Sequence, residues 1–180
     1  ELFFDDLRVP VTNLLGAEGR GFGILMEELS QERLVQAIRA VSSAEAAIEW
    51  TIAYTTERKM FGQTLADFQN TQFKLAELRT ELDVAQVYVD QCVTAFASGA
   101  LTAVDAAKAK LVTSELQVKV ADIGVQMHGG AGYMDEYPIS RQFTDAKIST
   151  IYAGSSEVMK IIISRECLAE DYVPFNTRNF

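Results

Sequence analysis

Apolar residues recur along this chain at helical spacing in five successive segments. The first runs from about Phe22 to about Lys59, where Leu34, Ile38, Val41, Ile48 and Ile52 form one stripe. The second, about Leu65 to Ser98, carries Leu75, Leu78, Leu82, Ala85, Val89, Cys92 and Phe96 at alternating steps of three and four, and Gly99 ends it. The third opens at Thr102, with Asp105 three residues on as a capping box, and reaches Met127. Its apolar residues lie on two faces: Ala107, Leu111, Val118 and Val125 on one, Val112, Leu116, Val120 and Ile123 on the other. That pattern predicts a helix packed between neighbours. A short helix follows from about Ile139 to Thr150, with Pro138 suited to its first turn. The last spans about Ser155 to Ala169 and offers Val158, Ile161, Ile162 and Leu168.

Between these segments the connections are short, which predicts an antiparallel, four-helix-type bundle of the all-α class. Ahead of them, Glu1 to Pro10 reads as a β-strand, and residues 11–21 as a turn region with Asn13, Gly16, Gly19 and Gly21. A strand is not stable alone, so its partners are expected elsewhere in a longer protein. Residues 1–21 are accordingly read as the end of another domain plus a linker, and 22–180 as the helical domain. Phe61-Gly62 is read as the left-handed stop of the first helix. The tail, Asp171 to Phe180, is expected to be loosely ordered or docked on a partner subunit.

Composition narrows the function classes. The chain has 180 residues, 48% of them hydrophobic, with sixteen basic against twenty-five acidic side chains and a net charge of −9. No basic cluster breaks that balance, which argues against nucleic acid or an anionic membrane as the main partner. No apolar run approaches a membrane span. Cys92 and Cys167 lie far apart without metal-type spacing and are read as reduced, and a single histidine, His128, excludes a His-cluster metal site.

Chemistry-grade residues collect at helix ends. Glu32 starts the first apolar stripe with Val35 and Gln36 three and four residues on, so no cation pairs with it. On spacing alone it reads as a solvated carboxylate. Arg58, in Glu57-Arg58-Lys59-Met60-Phe61-Gly62, suits a helix C-terminus, and with Phe61 it suits a pyrophosphate and a heterocycle equally well. Gln126-Met127-His128-Gly129-Gly130-Ala131-Gly132-Tyr133 is either a plain loop or a backbone that a ligand can approach closely. Arg141 and Asp145 read as an internal pair at helical spacing. Tyr152-Ala153-Gly154-Ser155-Ser156-Glu157 places small residues at a helix start, where backbone N–H groups suit a carbonyl or phosphate.

Taken in order, these motifs resemble the C-terminal part of an acyl-CoA dehydrogenase. The series is Glu32-Arg33, Glu57-Arg58-x-x-Phe61-Gly62, Phe68-Gln69, Gln126-x-x-Gly129-Gly130-x-Gly132-Tyr133, Tyr137-Pro138, Arg141, Asp145 and Ile151-Tyr152-x-Gly154-Ser155-Ser156-Glu157. The likeness covers essentially the whole chain. Val9-Pro10 and Leu15-Gly16 resemble the exit from that family's middle β-domain, which makes the N-terminal strand a remnant of a domain not present here.

The resemblance implies FAD as cofactor and α,β-dehydrogenation of an acyl-CoA to a trans-2-enoyl-CoA, with electron-transfer flavoprotein as the usual acceptor. It also implies a homotetramer (or dimer) and a bacterial cytoplasmic or mitochondrial matrix setting. Many members carry the catalytic base as the Glu of a Tyr-Glu-Gly-Thr segment, whereas this chain has Ala153 there. The long-chain and isovaleryl types instead place the base on the first long helix before an Arg, the position of Glu32. Glu32 is therefore the expected base, with Ser30, Gln31, Arg33, Ala153 and Gly154 around the substrate. Arg58, Phe61, Gln69, Gln126, Met127, His128, Gly129, Gly130, Ser155, Ser156 and Glu157 are the expected FAD contacts, and no metal is implied. The rival readings are a non-catalytic helical interaction module and an oxidase-like flavoenzyme on the same scaffold.

Overall fold

A computed structural model describes residues 1–171 and 173. It contains five α-helices: α1 Gly21–Glu57, α2 Gln69–Ala97, α3 Ala103–His128, α4 Pro138–Ile148 and α5 Ser156–Cys167. The predicted tail lies outside the described residues from Tyr172 on, except for Val173. Helix α3 is the axis of the bundle, with α1, α2, α4 and α5 all packed on it. This is the sandwiched helix that its two apolar faces predict.

Small residues explain the close approach of α1 to α3. The buried seam of α1 is Leu34, Ala37, Val41, Ala44, Ile48, Thr51 and Thr55, again in steps of three and four. Ile38 and Ile52, assigned to this stripe from sequence, are 38% and 42% exposed. They are displaced because alanine and threonine let the helix backbones come together where isoleucine would hold them apart. Thr51 and Thr55 return their hydroxyls to the carbonyls of Ala47 and Thr51, so burial leaves neither unpaired. Helix α2 buries Leu78, Leu82, Ala85, Val89 and Cys92 as predicted, but Ala95 closes the seam and Phe96 turns outward. On α5 the apolar face also differs. Met159 is fully buried, while Val158, Ile161 and Leu168 are exposed.

Local signals set the helix boundaries. The Thr102 hydroxyl accepts from the Asp105 N–H at 3.1 Å and donates to Asp105 Oδ2 at 2.6 Å, which starts α3 as the capping box predicts. Pro138 occupies the first turn of α4.

Two expectations are corrected. Glu1 to Pro10 forms no strand here, because no strand among the described residues pairs with it. The only sheet among the described residues is the hairpin β1 Lys59–Met60 and β2 Gln63–Thr64, antiparallel, with Met60 opposite Gln63. Its two-residue turn has φ +52° at Phe61 and +86° at Gly62, the double left-handed geometry that such hairpins require. Gly62 thus turns a hairpin, and α1 has already ended at Glu57 with Arg58 extended.

Candidate functional site

The first part of the site grows from the end of α1. The Arg58 N–H donates to the Tyr54 carbonyl at 2.9 Å, and the Leu65 N–H donates to the Arg58 carbonyl at 2.8 Å. This backbone bracket fixes the hairpin to the helix end and leaves the Arg58 side chain exposed. Opposite it, α3 ends at His128, and the chain turns at Gly129 with φ +60°. Between them lies a cavity of about 620 Å³, lined by Tyr54, Arg58, Asn70, Gln126, Gly129 and Gly130 among others. A methyl group added at Gly129 or Gly130 would meet nothing within 4 Å, so the backbone there is open to a ligand.

His128 supports this cavity from below. It is buried, its Nδ1 lies 2.7 Å from the Gly124 carbonyl, and its ring stacks on Tyr54 at 4.2 Å between centroids. A carbonyl only accepts, so Nδ1 carries the proton. Burial pushes the histidine pKa down, only partly opposed by the Gly124 bond, and so favours the neutral ring. The Tyr54 hydroxyl in turn donates to the His128 carbonyl at 3.1 Å. Phe61, 90% exposed at the hairpin tip, does not line the cavity, and neither does Gln69 in the first turn of α2. The Phe61 ring meets Phe68 edge-on at 6.5 Å between centroids, and its positive φ belongs to the hairpin turn.

The second part joins α1 to the segment before α5. Arg33 is buried, and its Nε donates to the Ala153 carbonyl at 3.4 Å, a long hydrogen bond. Lys110, from the second turn of α3, is 1% exposed and donates from Nζ to the Gly154 carbonyl at 2.7 Å. Both residues of that turn have positive φ, +53° at Ala153 and +99° at Gly154. Burial lowers the pKa of Arg33 while the neighbouring Glu32 carboxylate raises it. Glu32 itself is exposed, one position from this buried anchor. Ser30 is half-buried and Gln31 exposed, and neither side chain forms a hydrogen bond among the described residues.

At the start of α5, the Ser155 hydroxyl accepts from the Val158 N–H at 3.4 Å. Ser156 is buried, and its Oγ finds no partner among the described residues. Hydrogen bonds from its own N–H and from Ser155 hold the Glu157 carboxyl below the usual carboxylate range. A second cavity, about 360 Å³, is lined by Ser155, Ser156, Glu157, Lys147 and Lys160 among others.

The structure therefore brings Arg33 to Ala153 and Gly154, and Arg58 to Gln126, Met127, His128, Gly129 and Gly130. Arg141 does not pair with Asp145. It donates to the Asp135 carbonyl instead, since the turn before α4 lies within its reach. Sequence reading missed Lys110 and Tyr54. No local signal marks Lys110, since a lysine on a helix reads as solvated.

Residues 19–168 match the family described as acyl-CoA dehydrogenase, C-terminal domain. The chain is 49% identical, over 92% of its length, to the mitochondrial long-chain specific acyl-CoA dehydrogenase of Sus scrofa, of which it covers 39%. The solved acyl-CoA dehydrogenase of Geobacillus kaustophilus superposes with a TM-score of 0.89 at 43% identity, covering 93% of this chain and 44% of that one. The acyl-CoA dehydrogenase of Bacillus anthracis, complexed with FAD, gives 0.85 at 32% identity over 89% and 31%. The chain spans about two fifths of the length of the curated relatives it matches.

Proposed function

The chain belongs to the acyl-CoA dehydrogenase family, and from that premise we propose that it supplies the catalytic base and part of the flavin site of an FAD-dependent acyl-CoA dehydrogenase. The reaction removes a proton from the α-carbon of the thioester and a hydride from the β-carbon. In this reading the Glu32 carboxylate takes the α-proton. An α-proton of a thioester is weakly acidic, so the carbonyl must be polarised as the proton leaves. The Ala153 N–H is the proposed donor to that oxygen. It needs no side chain, and among the described residues it makes no hydrogen bond.

The observation that carries this reading is the Arg33–Ala153 contact, which links residues 120 positions apart. It ties the helix turn bearing Glu32 to the turn where other members carry their base. Ala153 has no carboxylate to offer, and in this reading Glu32, next to Arg33 in sequence, takes the role of base.

The residues present fit FAD. Ser156 Oγ is a buried polar atom without a partner, Gly129 and Gly130 expose backbone to open space, and Arg58 offers a guanidinium suited to a pyrophosphate. FAD, when bound, supplies the hydride acceptor. Arg58, Phe61, Gln69 and Gln126 to Gly130 would hold the flavin of a neighbouring subunit in part, and Ser155, Ser156 and Glu157 that of their own. We assign electron-transfer flavoprotein as the acceptor and a homotetramer as the assembly. The short side chain at Ala153 leaves room for a long or branched acyl chain. These 180 residues by themselves form a bundle with little or no turnover, and full activity in the isolated chain would overturn that.

Anaerobic addition of a panel of acyl-CoAs to the holoprotein, followed by bleaching of the oxidised flavin band, tests the proposal. Bleaching in wild type but not in Glu32→Gln supports it, and the fastest substrate sets the chain type. Equal bleaching in both moves the base elsewhere. Absence of bleaching with every acyl-CoA favours a non-catalytic bundle.

A further inference from the structure

Lysine is rarely buried without an anionic partner, because the ammonium gives up its hydration. Lys110 is buried in α3, and among the described residues it makes no ion pair. Burial lowers its pKa first, the Arg33 charge lowers it further, and the Glu115 and Glu157 carboxylates raise it. The one hydrogen bond of its ammonium among the described residues goes to a neutral acceptor, the Gly154 carbonyl at 2.7 Å. An apolar side chain of similar volume would fill this space without the desolvation. What the ammonium adds is the position of that carbonyl.

The segment it holds needs holding. Ala153 and Gly154 are consecutive left-handed residues, and only one of them is glycine. Met159 closes the space beneath, since a Cβ at Gly154 would lie 2.5 Å from its Cε. Arg33 reaches the Ala153 carbonyl at a long 3.4 Å, so the short, charge-assisted bond from Lys110 is the stronger tether. With the Gly154 carbonyl held by Lys110 and the intervening Ala153 carbonyl held by Arg33, both peptide planes that follow the Ala153 N–H are anchored, which narrows the directions that N–H can take.

We infer that Lys110 is a positioning residue for the substrate's thioester carbonyl, acting through the Gly154 carbonyl on the Ala153 N–H. The inference rests on the reading above that this N–H receives the carbonyl. Lys110 does not touch the substrate. It keeps the donor pre-aligned, so that the loop need not reorganise as negative charge develops on the oxygen, and together with Arg33 it places positive charge behind that donor.

The test uses the flavin-loaded holoprotein and an acyl-CoA labelled with ¹³C at the thioester carbon. Infrared difference spectra report the bound carbonyl stretch, and steady-state kinetics separate kcat from KM. Wild type lowers the stretch on binding. Lys110→Met is expected to return most of that shift and to lower kcat about tenfold or more, with KM within about threefold. Lys110→Gln, which keeps a donor without the charge, is expected to recover part of both. A wild-type stretch and kcat in Lys110→Met overturns the inference. Where Lys110→Met yields no folded protein, Lys110→Gln decides: a smaller shift than wild type supports the role, and an undiminished one overturns it. No shift in wild type means that the carbonyl is not polarised at Ala153, and that failure of the underlying reading is distinguishable from a Lys110 variant that leaves an existing shift intact.

Discussion

Arg33 on the first long helix donates to the carbonyl of Ala153, 120 residues later, and so joins the turn that bears Glu32 to the turn that precedes α5. The bond uses Nε of a planar fork whose Nη2 also passes close to Gly154. A lysine would offer a point charge without that geometry. Arg33→Lys should therefore lower kcat/KM for the acyl-CoA by about tenfold to a hundredfold, the cost of one hydrogen bond to a charged group. Kinetics at fixed flavin content check this, and an unchanged kcat/KM would remove Arg33 from the site.

The glycines at the end of α3 should separate by stability. A Cβ at Gly132 would lie 2.6 Å from the Val125 carbonyl and 2.8 Å from His128 Cβ, neither of which can swing away. Gly132→Ala is expected to cost about 1–3 kcal/mol by overpacking. A Cβ at Gly130 meets nothing within 4 Å, so Gly130→Ala should stay within about 0.5 kcal/mol of wild type. Urea unfolding of the two variants side by side decides, and equal stabilities would contradict the packing described.

His128 makes stability depend on pH. Its folded-state pKa is held below the ordinary 6.5 by burial, so as pH falls the unfolded chain takes up the proton first. The contribution is fully present above about 6.5 and is lost as pH falls through the folded-state value. Wild type should lose stability between pH 7 and pH 5.5 more steeply than His128→Gln, which has nothing to titrate there. Parallel slopes in chemical denaturation would show that His128 is not the group responsible.

Arg58 should matter for flavin and not for the fold. Its side chain is exposed and makes no ion pair among the described residues, whereas its backbone carries the structural hydrogen bonds. Arg58→Gln is expected to weaken flavin retention about tenfold or more while changing stability by less than about 0.5 kcal/mol. The flavin-to-protein absorbance ratio after dialysis, beside a melting curve, measures both.

What could be read from the sequence was whatever is local. Thr102 with Asp105, Pro138, and the three-four spacing from Leu78 to Cys92 each announce themselves within one helical turn. What could not be read depended on partners far along the chain. Large side chains drew the predicted stripe of α1 through Ile38 and Ile52, yet the crossing with α3 selects Ala37, Ala44, Thr51 and Thr55 for their size. A strand at Glu1 to Pro10 follows from residue type alone, and pairing needs a neighbour that is not found among the described residues. The motifs around Glu32, Arg58, Gly129 and Ser155 were visible as residue patterns. Lys110 was not, because a lysine reads as solvated until the Gly154 carbonyl, 44 residues on, is seen beside it.

The base assignment is tested most directly by separating proton removal from hydride transfer. An acyl-CoA with two α-deuterons and no β-hydrogen, such as a 3,3-dimethylbutanoyl thioester, can exchange with solvent at the α-carbon but cannot reduce the flavin. In the holoprotein, nuclear magnetic resonance should show wash-out of that deuterium by wild type, slowed about a hundredfold or more in Glu32→Gln with binding retained. Exchange at the wild-type rate in Glu32→Gln would contradict the account and assign the proton to another group.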